Sequence, residues 1–254
     1  MKSKSKTPKI SIITIVLNNR IFLDHTIQSV ASQEFTNYEY IIIDGGSTDG
    51  TKELIKDSEK KIDYWVSEPD RGIYDAMNKG AKLAKGEWLL FLNAGDRFAN
   101  PKVLSDIFQL NNLNTYDFIF GNWYTCNLLK TPDLLIPGTA SYERGAILHQ
   151  SVVYKKKLHE VYGYYLLTPK LIISDYIFFL SIPRNLVFHF EHPISINDNT
   201  GVSTAPWSYK QKLAIDYVFR RITAFRLVVL YLKFHIPRFD LYLSKKLSEL
   251  FTKH

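Results

Sequence analysis

At 254 residues, 46% of them hydrophobic, the chain is long enough to bury a sizeable core and short enough to be one large domain with at most a small appendage. A net charge of +7 with 14% aromatic residues points to a negatively charged partner, and leaves open whether that is nucleic acid, an anionic membrane surface or a phosphorylated substrate. Cys126 is the only cysteine, which excludes an intrachain disulfide and a cysteine-based zinc cluster and fits a reducing compartment such as the cytoplasm.

Residues 1–9 alternate Lys with Ser and contain no apolar core, so they read as a flexible basic leader and not as a secretory signal. Ile10 to Leu17 is a β-branched run of strand length, closed by Asn18 and Asn19. Leu23, Ile27 and Val30 recur at spacings of four and three, which predicts a helix, and Tyr40 to Ile43 is a second short strand. The polar run 44–50 then breaks the chain, and its Ser, Thr and Asp side chains suit the cap of a helix through Leu54 and Ile55. Tyr64 to Val66 is a weaker strand. Ile73, Ala76, Met77, Gly80, Ala81 and Ala84 form a helical stripe with Gly86 as its expected stop. Trp88 to Leu92 predicts a buried strand ending at Asn93-Ala94-Gly95-Asp96, Asn100-Pro101 predicts the next helix start, and Asp117 to Tyr124 another strand.

Strands alternating with helices predict an α/β fold, a mostly parallel sheet with helices on both faces. Ligands bind such sheets at the carboxyl ends of the strands, where Asn18, Asp44 and Asp96 fall. The order weakens beyond residue 125, with turn signals at Thr131-Pro132-Asp133 and Pro137-Gly138 and a helical segment near Tyr176 to Leu180. Residues 206–254 read as a basic amphipathic tail of two stretches, Lys212 to Phe234 and Phe239 to Phe251, parted by Pro237. The longest late apolar run, Leu227 to Leu232, is far short of the roughly 20 residues that span a bilayer.

A strand-end carboxylate such as Asp44 can accept a hydrogen bond from a nucleobase, and one such as Asp96 can ligate a divalent cation, although both residues also suit ordinary turns. Arg71 precedes a predicted helix and has phosphate binding or simple solvation as its readings. No phosphate loop of the G-x-x-x-x-G-K-[ST] type and no G-x-G-x-x-G after the first strand occurs.

Four segments in order carry a resemblance. They are Ser11-Ile12-Ile13-Thr14-Ile15-Val16-Leu17-Asn18, then Ile41-Ile42-Ile43-Asp44-Gly45-Gly46-Ser47-Thr48-Asp49-Gly50-Thr51, then Glu68-Pro69-Asp70-Arg71-Gly72-Ile73-Tyr74-Asp75-Ala76-Met77-Asn78-Lys79-Gly80, and then Phe91-Leu92-Asn93-Ala94-Gly95-Asp96. The succession resembles the inverting family 2 glycosyltransferases of the GT-A fold. A later stretch, from His149-Gln150-Ser151-Val152-Val153-Tyr154 through Tyr162-Gly163 to Ser174-Asp175-Tyr176, is similar to the acceptor-side segment of bacterial cell-surface polysaccharide enzymes in that family.

The resemblance implies a catalytic domain over 10–205, divided at 125 into nucleotide-sugar and acceptor halves. It implies that Thr14 and Val16 line the base pocket with Asn18, that Asp44 holds the nucleobase, and that Ser47, Arg71, Asp75 and Asn78 lie near the donor. Asn93, Ala94 and Gly95 lead to Asp96, the implied ligand of a divalent Mn2+ or Mg2+ ion and the diphosphate. The family usually carries two or three carboxylates in that loop, and this chain keeps only Asp96. Asp175 is implied as the base that deprotonates the acceptor hydroxyl, with His149 and Gln150 near the acceptor. The implied reaction moves one sugar from a nucleoside diphosphate donor, UDP by family frequency, to a saccharide acceptor, lipid-linked in surface-polysaccharide assembly. Nucleotidyl transfer and a non-catalytic nucleotide-sugar or glycan-binding module are the alternatives. The tail has the inner face of the cell membrane, the catalytic domain or a second subunit as its expected contacts, while nucleic acid is not expected for want of a motif.

Overall fold

The computed structural model describes residues 7–198 and 206–235, and the chain divides into two compact units, 1–201 and 202–254. The predicted stretch Phe239 to Phe251 and the first six residues of the leader lie outside the described residues.

The first unit opens as the sequence predicts. Strand β1 (Ile10–Val16), helix α1 (Arg20–Ala31), strand β2 (Tyr38–Asp44), helix α2 (Thr51–Asp57), strand β3 (Tyr64–Ser67), helix α3 (Ile73–Leu83) and strand β4 (Trp88–Phe91) alternate, and the four strands lie parallel in the order β3-β2-β1-β4. Beyond Asp96 come β5 (Arg97–Phe98), α4 (Val103–Phe108), β6 (Phe118–Asn127), β7 (Thr131–Gly138), β8 (Val152–Lys155), α5 (Leu158–Tyr162), α6 (Ser174–Leu180) and β9 (Val187–Asp198). The sheet continues from β4 as β8-β6-β9-β5, with β7 on the outer half of β6. Only β6 and β9 pair in parallel there; β8 runs against β4 and β6, β7 against β6, and β5 against β9. The sheet is therefore mixed, which corrects the mostly parallel expectation.

Alternation along the strands divides two cores between the faces of the sheet. Ile13, Ile15, Ile41, Ile43, Leu89 and Phe91 pack with Met77 and Ala81 of α3 and Phe178 and Phe179 of α6. Ile12, Val16, Tyr40, Ile42, Trp88 and Leu90 pack with Leu23, Ile27 and Val30 of α1 and Leu104 and Ile107 of α4. Both faces are covered by apolar packing, so a polar side chain that must meet a ligand has to sit at a strand end.

Three local expectations change. The turn signals over 131–138 belong to β7, an edge strand, where proline's missing N–H leaves no gap in a two-sided ladder. Helix α4 starts at Val103, because Asn100 turns the chain first by accepting the Lys102 N–H. Helix α3 ends before Gly86, and Gly86 serves a close approach instead: a Cβ there would stand 2.6 Å from the Ile10 carbonyl carbon. Its N–H donates to Ser11 Oγ and to Glu39 Oε1, tying the α3–β4 turn to β1 and β2.

The second unit contains α7 (Pro206–Val218) and α8 (Ala224–His235), a hairpin in which Tyr209 stacks on Phe234 and Lys210 stands over the Tyr231 and Phe234 rings. The single stretch predicted over 212–234 is thus two helices, broken where Arg220 adopts φ +55° and the Arg221 N–H returns to the Asp216 carbonyl.

Gly86→Ala is expected to cost roughly 1–3 kcal/mol, the usual cost of overpacking a closed contact, and to lower the urea midpoint without changing the slope. Equilibrium unfolding of the variant beside wild type measures it.

Candidate functional site

The carboxyl ends of β1, β2 and β4 meet along one edge, and each is followed by a polar turn. At the end of β2 the Asp44 carboxylate is fully buried. It accepts the Ser47 N–H at 3.2 Å, the Ser47 hydroxyl, and the Ser67 hydroxyl at 2.6 Å, so it ties β2 to the end of β3. Ser47 Oγ also accepts the Asn18 N–H at 2.7 Å, and Asn18 Oδ1 accepts the Thr48 N–H at 2.8 Å. Asn18 does this at φ +49°, a left-handed conformation that Asn tolerates better than most residues. Asn18, Asp44 and Ser47 are thus one hydrogen-bonded cluster.

One strand away, the backbone after β4 follows β1, with the Leu92 and Ala94 N–H groups donating to the Ile13 and Ile15 carbonyls. Asp96 then turns back on the Asn93 carbonyl, and Gly95 between them takes φ +104°, which favours glycine. Thr26 of α1 pins the turn, its hydroxyl accepting the Gly95 N–H at 2.9 Å and donating to the Asp96 carbonyl at 2.8 Å. The Asp96 carboxylate accepts the Gln150 amide at 3.0 Å and the Asp198 N–H at 3.2 Å. Burial dominates its titration and pushes its pKa up to about 6, against the opposing pull of His149 and Gln150.

The residue before Gln150 reaches the other carboxylate. His149 Nδ1 lies 3.2 Å from Asp175 Oδ2, and its Nε2 lies 2.9 Å from the Asn93 amide nitrogen. The Tyr74 hydroxyl donates to Asp175 Oδ1 at 2.7 Å. Burial raises the Asp175 pKa, but the bonds from His149 and Tyr74 outweigh it, and the carboxyl titrates below its ordinary value. The consecutive residues His149 and Gln150 therefore link Asp175 to the turn that holds Asp96. Asp175, distant in sequence, is brought beside that turn, while β1 separates the turn from Asp44.

Other predicted positions fall deeper. Thr14 is fully buried and bonds the Leu92 carbonyl at 2.7 Å and the Tyr40 hydroxyl at 3.0 Å, and Val16 is in the core under α1. Both support the edge from beneath, since strand alternation turns them toward α1. Asn78 has both ends of its amide on the Tyr165 backbone, at 2.8 and 3.0 Å, so it clasps the segment before α6 to α3. Asp75 is held below the usual carboxylate range by Arg71, whose guanidinium and N–H both reach it, and the Arg71 side chain is 77% exposed.

Tyr74, Thr26 and Asp198 join the site without having been singled out in the sequence. Tyr74 falls inside the third motif segment, where its spacing marks only the core side of α3, and nothing local distinguishes Thr26 or Asp198. A divalent cation fits this turn in a limited way. Among the described residues no group of three or more His, Cys, Asp or Glu side chains gathers as a metal cage. The turn does offer hard oxygen donors: the Asp96 carboxylate, costly to ionise where it is buried, and Asn93 Oδ1, which is buried without a hydrogen-bond partner. That set suits an ion that takes its other ligands from a bound diphosphate and water.

Comparison with known proteins agrees with this architecture. The chain is 42% identical over 102 residues to an uncharacterized glycosyltransferase of Mycobacterium tuberculosis, a match spanning 40% of this chain and 39% of that protein. It is 29% identical over 208 residues to a PGL/p-HBAD biosynthesis glycosyltransferase of Mycobacterium bovis, covering 77% of this chain and 79% of the relative. Among solved structures, S. aureus TarS residues 1–349 in complex with UDP-GlcNAc superposes with a TM-score of 0.65 at 17% identity, over 89% of this chain and 71% of that one. The mannosyltransferase PcManGT of Pyrobaculum calidifontis, in complex with GDP-Man and Mn2+, superposes at 0.63 and 14% identity, over 86% and 66%. These two share the fold, and the sequence pattern of Glycosyl transferase family 2 matches residues 11–170, the stretch that supplies every strand-end residue of the edge; the chain belongs to that family.

Proposed function

We propose that the chain transfers one sugar, with inversion, from a nucleoside diphosphate donor to a hydroxyl of a saccharide acceptor, with Asp175 as the base. The carrying observation is the Asp175 carboxylate, kept ionised by Tyr74 and His149 beside the turn that holds Asp96. UDP-GlcNAc in one structural neighbour and GDP-Man with Mn2+ in another support a nucleotide-sugar donor and a divalent ion, with UDP the expected carrier. The basic tail supports a lipid-linked acceptor, and the relative's role in PGL/p-HBAD biosynthesis supports a biosynthetic setting such as surface polysaccharide assembly.

In this reading the Asn18, Asp44 and Ser47 cluster receives the nucleotide, and Asp96 with Asn93 faces the diphosphate. A bound Mn2+ or Mg2+ would neutralise charge on the departing diphosphate. Arg71 stands at the same edge as a further cation for phosphate. Asp175 takes the acceptor proton as the acceptor oxygen bonds the anomeric carbon, and the bond from that carbon to the diphosphate breaks on the opposite face. His149 donates through Nδ1 to Asp175 Oδ2 and stays in place, so its role is positioning, with Gln150 doing the same for Asp96.

Asp175→Asn is expected to lower kcat by roughly 100- to 10,000-fold, the range of a lost general base, with donor affinity nearly unchanged. A wild type that binds a nucleotide sugar in calorimetry but never turns over supports the binding-module reading instead. Pyrophosphate release from a nucleoside triphosphate would support nucleotidyl transfer.

Chelation is expected to abolish diphosphate release, and added Mn2+ or Mg2+ to restore it. Full activity in excess EDTA would remove the ion from this account.

His149 and Tyr74 lower the Asp175 pKa, so removing either raises it, and the base is lost at a higher pH. His149→Ala and Tyr74→Phe are each expected to move the acidic limb of kcat/KM upward. A pH profile of the two variants measures this, and an unmoved limb with merely lower activity would leave both residues structural.

A further inference from the structure

We propose that the α7–α8 hairpin docks on an anionic lipid surface, with Phe225 and Val228 entering the acyl boundary and Arg220, Arg226 and Lys233 meeting the headgroups. The charge distribution comes first. Residues 206–254 hold ten Lys and Arg against three acidic residues, a surplus of seven that equals the net charge of the entire chain, so residues 1–205 are balanced. Within the described hairpin, Lys210, Lys212, Arg220, Arg221, Arg226 and Lys233 face a single acid, Asp216.

The apolar pattern comes second. Helix α8 has no buried residue although nine of its twelve side chains are apolar. Phe225, Val228 and Leu232 share one face at spacings of three and four, and Phe225 and Val228 are 79% and 55% exposed. Arg226 and Lys233, seven residues apart, line the adjoining face, from which long basic side chains reach headgroups while their stems stay in apolar surroundings.

The hairpin is also held in one shape. The Asp216 carbonyl accepts the Arg221 N–H at 2.7 Å and the Ile222 N–H at 3.3 Å, while its carboxylate pairs with Lys212 at 2.7 Å and Arg221 at 3.4 Å. Thr223 Oγ1 caps α8 by accepting the Arg226 N–H at 3.2 Å. Arg220 is left exposed at the tip, beside an open cavity of about 480 Å³ lined by Tyr217, Val218, Arg220, Arg221, Ile222 and Thr223.

A lipid surface satisfies both stripes together, since burial of the apolar face and attraction of the basic one act in the same direction. A second copy seated hairpin on hairpin would set like charges against each other, which is costly. A nucleic acid would meet the cations and leave the Phe225 and Val228 face in water. The helix lies on the surface and does not cross it: at twelve residues α8 is about 18 Å long, against roughly 30 Å of hydrocarbon, and no described helix is long and apolar enough to span a membrane. The inference stands apart from the sugar-transfer reading, because lipid binding does not require turnover.

Flotation of the full chain with vesicles of phosphatidylcholine, alone or mixed with phosphatidylglycerol, tests it. The chain is expected to float with the mixed vesicles, release at high salt, and stay unbound with phosphatidylcholine alone. Phe225→Asp with Val228→Asp should weaken partitioning at least about ten-fold. Arg220→Gln with Arg226→Gln should weaken it about thirty-fold, the factor for two basic residues at about 1 kcal/mol each near an anionic surface. The arginine pair carries the test if the apolar pair fails to fold. Absence of flotation, or variants that float like wild type, would overturn the proposal. So would a DNA oligonucleotide holding the chain more tightly than the vesicles, or a dimer in gel filtration that the apolar pair abolishes while no vesicle is bound.

Discussion

The geometry of the candidate site rests on one short chain of hydrogen bonds, from Tyr74 to Asp175, from Asp175 to His149, and from His149 to Asn93. A carboxylate taken out of water is costly unless donors face its oxygens, and here each oxygen has one. Without them burial would push Asp175 toward its neutral form, which cannot take a proton. The same chain ties the entrance of α6 to α3 and to the turn after β4, so the charge on Asp175 and the relative placement of three elements are one physical fact.

Asp96 shows the opposite balance. Its neighbours do not cancel burial, and it is left with a raised proton affinity next to the orphaned Asn93 Oδ1. Two carboxyls joined by the His149-Gln150 pair thus differ in titration because one is answered by a histidine and a tyrosine and the other by two amides. That contrast separates the proposed proton acceptor from the proposed seat of the diphosphate, with Asp96 the first of the two to take up a proton as pH falls.

The two units divide the physics of the chain. Charge in residues 1–205 is balanced, and the candidate site lies at one edge of a sheet whose two faces are covered by apolar packing. The excess positive charge belongs to residues 206–254, where the more apolar helix of the hairpin, α8, has no buried side chain. The proposed transfer from a soluble nucleotide sugar to a lipid-carried acceptor would draw on both properties, which the chain keeps in separate segments.

The parallel half of the fold was legible because its signals are local: β-branched runs of strand length at Ile10, Tyr40 and Trp88, stripes of period 3.6 between them, and Gly, Asn and Asp where the chain turns. Asp44 and Asp96 could be read as strand-end residues for the same reason. The antiparallel half was not, since β7 carries prolines that read as turns, β9 lacks clean alternation, and edge pairing depends on partners far along the chain. Thr14 and Val16 show the limit at a single strand: sequence placed them near the edge, but only the packing of α1 decided which side they face. The sequence by itself determined the order of elements in the parallel half and the family. The tertiary structure alone decided that residues 74, 93, 149 and 175 meet, because hydrogen bonds across such separations leave no periodic trace and exist only once the sheet has brought their elements together.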